Sequence, residues 1–257
     1  MGRRQIFAGN WKMFKTYNEA VELVKGLSAG LNKAGGREYV LFPPSVYLKD
    51  LSSLCAATPF VTGAQNMYFE NQGAFTGEIS PVMVKDCGAG FVLIGHSERR
   101  HIFHETDENV NRKVITALFH NIQPMICVGE LIEEREKGET SAVLNRQIRG
   151  AFSGIEKEAV STISIAYEPV WAIGTGKVAT PEMAEDAHIV IRKIIHELYG
   201  DEVSNSIPIL YGGSVKPDNI EGLYKMPDID GVLVGGASLE VKSFLDIINV
   251  NFNKSSS

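Results

Sequence analysis

The chain has 257 residues, 44% of them hydrophobic and 22% charged, enough apolar material for a large globular core. Its formal net charge of -6 speaks against non-specific binding to nucleic acid or to an anionic membrane. An anionic ligand would have to be held locally, by loop amides, helix N-termini and a lysine.

The first residues, "MGRRQIFAGNWKM", make a poor signal peptide because Gly9, Asn10 and Lys12 interrupt any apolar stretch. Ile6 stands where a myristoylation signal requires Ser or Thr. Cys55, Cys87 and Cys127 are widely spaced and form no disulfide framework, which fits a reducing compartment. No apolar run is long enough to span a membrane, and a cytoplasmic location is expected.

Apolar runs rich in β-branched and aromatic residues then recur, at 5–9, 39–42, 60–65, 90–95, 124–129, 164–168, 208–212 and 231–235. They lack strict alternation, as parallel strands covered on both faces should. Amphipathic segments lie between them, among them "YNEAVELVKGLSAGL" and "TPEMAEDAHIVIRKIIHELYG". In the second, Thr180 suits the N-cap, Pro181 the first helical position and Gly200 the end. Eight similar units of about 30 residues, without a linker, favour a single (β/α)8 barrel domain over 1–257. An open doubly wound sheet is the alternative. The tail near 252–257 is expected to fray.

In such a barrel the site is built from the loops after the strands. Those positions hold Asn10 and Lys12, then Gln65 and Asn66, then His96, Ser97 and Glu98, then Glu168, then Gly212, Gly213 and Ser214, and last Gly235 and Gly236. The strand starts offer nothing comparable. Each residue alone has a plain reading as a cap or a solvated charge. A histidine, a glutamate and a lysine converging on one mouth suggest a catalytic site. The glycine pairs let backbone N–H groups approach an anion, although tight βα turns would use the same residues.

Two patterns mislead. Gly174 to Ala179 matches the G-x-G-x-x-A form of a dinucleotide-binding turn. However, Glu168 to Ile173 separate it from its strand, and the next helix starts only near Thr180. The loop Pro169, Val170, Trp171, Ala172, Ile173, Gly174, Thr175, Gly176, Lys177 reads better as a lid, with an apolar tip between Pro169 and the glycines. The trio His96, His101 and His104 suggests a metal. It lacks H-E-x-x-H and has Arg99 and Arg100 beside it, so no metal is expected, and His101 and His104 are read as polar loop groups.

The motifs "AGNWKM", "GAFTGEIS", "GHSERR", "AYEPVWAIGTGK" and "YGGSV", in this order from about residue 5 to residue 250, resemble the triosephosphate isomerase family. The resemblance implies a TIM barrel working without a cofactor. It would interconvert dihydroxyacetone phosphate and D-glyceraldehyde 3-phosphate through an enediolate, in glycolysis and gluconeogenesis. It implies Glu168 as the base and His96 as the electrophile, with Asn10 and Lys12 on the substrate's polar and anionic groups. Gly174, Ser214, Gly235 and Gly236 would bind the phosphate. Glu98 would support the site, and Cys127 would be a buried structural residue nearby. The resemblance further implies a homodimer in which Thr76, in the loop after strand 3, contacts the partner's site. Met67, Tyr68 and Phe75 of that loop would be uncovered in a monomer. A Schiff-base aldolase would instead want a lysine at an apolar strand end, and a phosphosugar-binding module would lack His96 or Glu168.

Overall fold

The computed structural model describes residues 2–32, 36–172 and 179–250, so the tail expected to fray lies outside the described residues. Eight parallel strands close in sequence order into a barrel: β1 (Gln5–Asn10), β2 (Arg37–Phe42), β3 (Phe60–Ala64), β4 (Phe91–Ile94), β5 (Gln123–Val128), β6 (Ser164–Tyr167), β7 (Ile209–Tyr211) and β8 (Gly231–Val234). β1 pairs with both β2 and β8, which completes the ring and leaves no edge. Around it lie α1 (Tyr17–Gly30), α2 (Leu48–Cys55), α3 (Pro81–Asp86), α4 (Ser97–His101), α5 (Asp107–Phe119), α6 (Ile132–Glu136), α7 (Thr140–Ala151), α8 (Pro181–Tyr199), α9 (Asp201–Ser204), α10 (Ile220–Tyr224) and α11 (Val241–Ile248).

The continuous apolar runs arise because each strand is buried on both faces. Ile6, Ala8, Val40, Phe42, Leu93, Met125, Cys127, Ala166, Leu210 and Leu233 fill the barrel interior. Their neighbours Phe7, Leu41, Val92, Ile126, Ile165, Ile209 and Val232 face the helices in a second apolar layer. The two-residue period of a strand sorts the two sets. It also aims the site: Asn10 follows Ile6 and Ala8 inward, and Glu168 follows Ala166.

The outer ring is held by ordinary helix chemistry, and α8 shows it best. The Thr180 side chain accepts a hydrogen bond from Met183 N at 3.2 Å, Pro181 occupies the first turn, and Gly200 ends the helix at φ +81°. Ala184, Ala187, Ile191, Ile194 and Ile195 form the buried stripe at helical spacing. Each isoleucine there contributes about 2 kcal/mol of burial.

One expectation fails at the strand starts. Arg4, Glu38, Gln123 and Asp230 all stand at that end; Asp230 is buried, and the half-buried Arg4 grips Glu38 at 2.6 and 2.8 Å and Gln123 at 2.7 Å. Single residues at the beginnings of distant strands look unremarkable in sequence because pairing across the barrel is invisible there.

Candidate active site

The mouth at the strand C-termini holds a cavity of about 360 Å³, lined by Asn10, Lys12, His96, Glu168, Ser214 and Gly235 among others. Gly212, Gly213 and Gly236 border it as well. The loops after β1, β4, β6, β7 and β8 therefore converge as their positions predict.

Glu168 is buried one residue beyond β6. Its Oε1 lies 2.9 Å from His96 Nε2, and its Oε2 accepts the Ser97 N–H at 2.8 Å. His96 caps α4, where its Nδ1 accepts the Glu98 N–H at 3.2 Å. With Nδ1 committed as an acceptor, the ring proton sits on Nε2 and points at the carboxylate.

Burial drives the His96 pKa down, but the Glu168 carboxylate beside it outweighs that and the net direction is up. Glu168 mirrors this. Burial raises it, yet His96, the Ser97 N–H and Lys12 together hold it below the ordinary carboxylate range. The Glu98 N–H resists full protonation of His96, since a proton on Nδ1 would set donor against donor. The neutral Nε2–H form satisfies both contacts.

Lys12 takes φ +50°, a left-handed conformation uncommon for a side-chain-bearing residue. Three contacts hold the turn: Lys12 N donates to Asn10 Oδ1 at 2.9 Å, and Gln65 Nε2 donates to Lys12 O at 2.8 Å and to Phe42 O at 2.9 Å. Lys12 Nζ meets Glu98 Oε1 at 2.7 Å. Glu98 thus links the lysine to the histidine turn.

Opposite lies a cradle with little side chain in it. A Cβ on Gly235 would come 3.5 Å from Lys12 Cε, and one on Gly236 would meet nothing within 4 Å. The space beside the ammonium is open, and the loop amides border it. An oxyanion fits there by charge and by room.

Cys127 is fully buried inside the barrel, with its thiol pKa pushed well up by burial and then by Glu168. It is a packed group that stays protonated. His101 is exposed on α4 and His104 is exposed at φ +56°. Among the described residues, no group of three His, Cys, Asp or Glu side chains is placed to hold a metal ion. Of the lid, Pro169, Val170, Trp171 and Ala172 are described; Ile173, Gly174, Thr175, Gly176 and Lys177 lie outside the described residues, and so does the contact assigned to Gly174. Thr76 stands exposed in the loop after β3 and does not line its own chain's 360 Å³ cavity. Met67 is buried in its own chain's core and Tyr68 stacks on Phe69, so of the three loop residues only Phe75 is open. The loop folds back on its own α5, where Lys113 Nζ donates to Asn66 Oδ1 at 2.7 Å.

Several groups at the site escape a sequence reading. The Ser97 N–H is backbone and leaves no mark in the sequence. Glu130 did leave one, an acid directly after an apolar strand. It is fully buried and accepts from Tyr167 Oη at 3.1 Å and Trp171 Nε1 at 3.0 Å. Tyr211 Oη is buried beside Gly213 with no partner among the described residues.

Comparison with known proteins agrees with this fold. The triosephosphate isomerase family model matches residues 5–251. A triosephosphate isomerase of Roseiflexus sp. (strain RS-1) is 51% identical over 247 residues, 96% of this chain and 97% of the relative. Those of Caldanaerobacter subterraneus subsp. tengcongensis and Chloroflexus aurantiacus are 52% and 50% identical over 247 residues, covering 96% of this chain and 99% of each relative. With a match that spans the barrel from its first strand to its last helix, the chain belongs to the triosephosphate isomerase family.

Proposed function

We propose that Glu168 is the base, and His96 and Lys12 the electrophiles, in the interconversion of dihydroxyacetone phosphate and D-glyceraldehyde 3-phosphate. The reading rests on the 2.9 Å contact between a buried carboxylate and an imidazole inside a cavity that also holds Lys12. A carboxylate there takes a proton from the carbon beside the substrate carbonyl and returns it to the neighbouring carbon. One hydrogen changes carbon while a hydroxyl proton passes from one substrate oxygen to the other through His96 Nε2; reactant and product are isomers, and no cofactor is needed.

In the free enzyme both Glu168 oxygens are engaged, by His96 and by the Ser97 N–H. Substrate must draw the carboxylate away from them. Losing those partners leaves burial to raise its pKa, so the group becomes a stronger base as it reaches the carbon. The released Nε2–H then donates to the enediolate oxygen, with the Lys12 ammonium adding charge and Asn10 beside them. Ser214, Gly235 and Gly236 hold the phosphate, with Gly174 completing the grip. Residues 169–177 act as the lid, which the Trp171–Glu130 hydrogen bond anchors at its start.

A homodimer completes the reading. A second recess of about 310 Å³ shares Asn10, Lys12 and His96 with the first. Among its lining residues Met13 is 94% exposed and Phe103 is 65% exposed. Such a patch suits burial against a second copy whose Thr76 loop enters the recess. Sedimentation at micromolar concentration is expected to give the dimer mass; a monomer would remove this part. The three free cysteines, two of them buried, fit the reducing cytoplasm.

The deciding experiment runs the reaction in D2O. Wild type should isomerise either triose phosphate and place deuterium on the carbon that changes state. Glu168→Gln should lose both by on the order of 10³-fold. A variant that keeps them, or wild type trapped by borohydride as a Schiff base with substrate, would end the reading.

A further inference from the structure

Gln147 of α7 is buried, and its amide spans the backbone of a single residue. Its Oε1 accepts the Gly129 N–H at 2.8 Å, and its Nε2 donates to Gly129 O at 3.1 Å. Gly129 lies one residue past β5, where the strand ladder ends, so the side chain replaces two bonds the barrel cannot supply.

Gly129 is also the wall against which the Glu168 main chain rests. A Cβ at 129 would fall 1.7 Å from Glu168 O and 2.6 Å from its carbonyl carbon. On the other side of β6, a Cβ at Gly212 would come 3.0 Å from Glu168 Cγ and 3.1 Å from Tyr167 O. Glu168 N donates to Val128 O at 2.7 Å, and Gly212 N donates to Tyr167 O at 2.7 Å. The residue carrying the carboxylate is therefore clamped between two glycine backbones. The Gly129 side of that clamp is set by an amide reaching inward from the helix layer.

We infer that Gln147 is a positioning residue: its two hydrogen bonds fix the Gly129 peptide, and that peptide sets where the Glu168 carboxylate starts its path to substrate. Gln147 touches neither the cavity nor the substrate. The inference rests on Glu168 being the base. A shift of about 1 Å at the reacting group costs on the order of 10²-fold, so a looser Gly129 peptide lowers turnover. The phosphate cradle of the β7 and β8 loops is untouched, and substrate affinity should hold.

Gln147→Met keeps length and bulk but removes both hydrogen bonds. It is expected to lower kcat about tenfold to a hundredfold, with KM within about threefold of wild type. Asp230→Asn, at the opposite end of the barrel, serves as the stability control: it should lower the thermal midpoint while kcat stays at the wild-type value. Gln147→Glu gives a second, independent reading. A neutral carboxyl can both accept and donate as the amide does, whereas the ionised form can only accept. Its kcat relative to wild type should therefore recover as pH falls, and the recovery should not extend to KM.

If Gln147→Met folds and turns over at the wild-type rate, the inference is overturned. If it does not fold, Gln147→Glu decides, and a kcat ratio that does not change with pH overturns the inference. Glu168→Gln assayed alongside separates the two readings. An active Glu168→Gln removes the base, whereas an inactive one beside a fully active Gln147→Met removes only the positioning role.

Discussion

Both ends of the barrel carry charge, but only one of them is open. At the strand starts Asp230 accepts from Arg3 Nε at 2.6 Å, from Arg192 Nη2 at 3.0 Å and from Ile209 N at 3.0 Å. Arg192 continues to Asp228 at 2.5 Å. Charge there is used up in pairing, and β7, α8 and the segments leading into β1 and β8 are tied together. At the strand ends the same residue types are left with capacity. Lys12 has one carboxylate partner, Glu98, and open space beyond it. The Glu168–His96 contact can be broken by a ligand that offers each a better partner. Saturation separates a structural network from a reactive one, and charge content does not.

The sharpest way to break the comparison is at the reactive end. Glu168→Asp keeps the charge and withdraws the carboxylate by one methylene. Turnover should fall on the order of 10²-fold or more, while KM, set by the phosphate cradle, moves far less. A melt should show little change, because the smaller carboxylate still lies among Ser97, His96 and Lys12. Steady-state kinetics beside calorimetry would expose the opposite outcome, a stability loss without a kinetic one.

Asp230→Ala should invert that pattern. Removing one member of a buried, saturated cluster leaves two arginines and the Ile209 N–H short of acceptors. Both arginines keep Asp228, so the cost is that of the lost hydrogen bonds and the buried Ile209 N–H left without its acceptor, about 1–3 kcal/mol. Turnover per folded molecule should stay at the wild-type value. Denaturant unfolding followed by assay of the refolded enzyme measures both, and a kinetic defect would show that the two ends are coupled through the strands.

Legibility in the sequence followed the same division. The strands were readable because burial on both faces leaves continuous apolar runs, and α8 because Thr180, Pro181 and Gly200 punctuate it. Asn10, Lys12, His96 and Glu168 were readable as polar residues placed just after such runs. The bottom network was not, because Arg4 meets Glu38 and Gln123 only once the ring has closed. Gln147 was hidden for a related reason: a glutamine in an amphipathic helix gives no hint that it turns inward to a backbone. Met67 was misjudged because an apolar residue in a loop looks open until the loop folds onto its own helix.

The smallest effect expected is a change in pH dependence, and it tests the electrostatics of the reactive end alone. Glu168 is buried, which by itself would raise its pKa; His96 is the foremost influence holding it down, ahead of the Ser97 N–H and Lys12. His96→Leu keeps an apolar side chain of similar size but removes both the charge and the N–H donor, so in the free variant the carboxylate takes up a proton at higher pH than in wild type. Protonation disables the base, and the acid limb of kcat/KM should move upward in pH. Dividing the variant's profile by the wild-type profile cancels the titration of the substrate phosphate, and the ratio should fall as pH is lowered. Stability follows the same sign. A carboxylate held low in the folded state stabilises it above the unfolded carboxylate range and loses that contribution as pH falls through the folded value. Wild type should therefore lose more stability on acidification than the variant does. A ratio that stays flat down to the ordinary carboxylate range would mean that the Ser97 N–H and Lys12 hold Glu168 ionised without His96. The 2.9 Å contact would then orient the pair without tuning it.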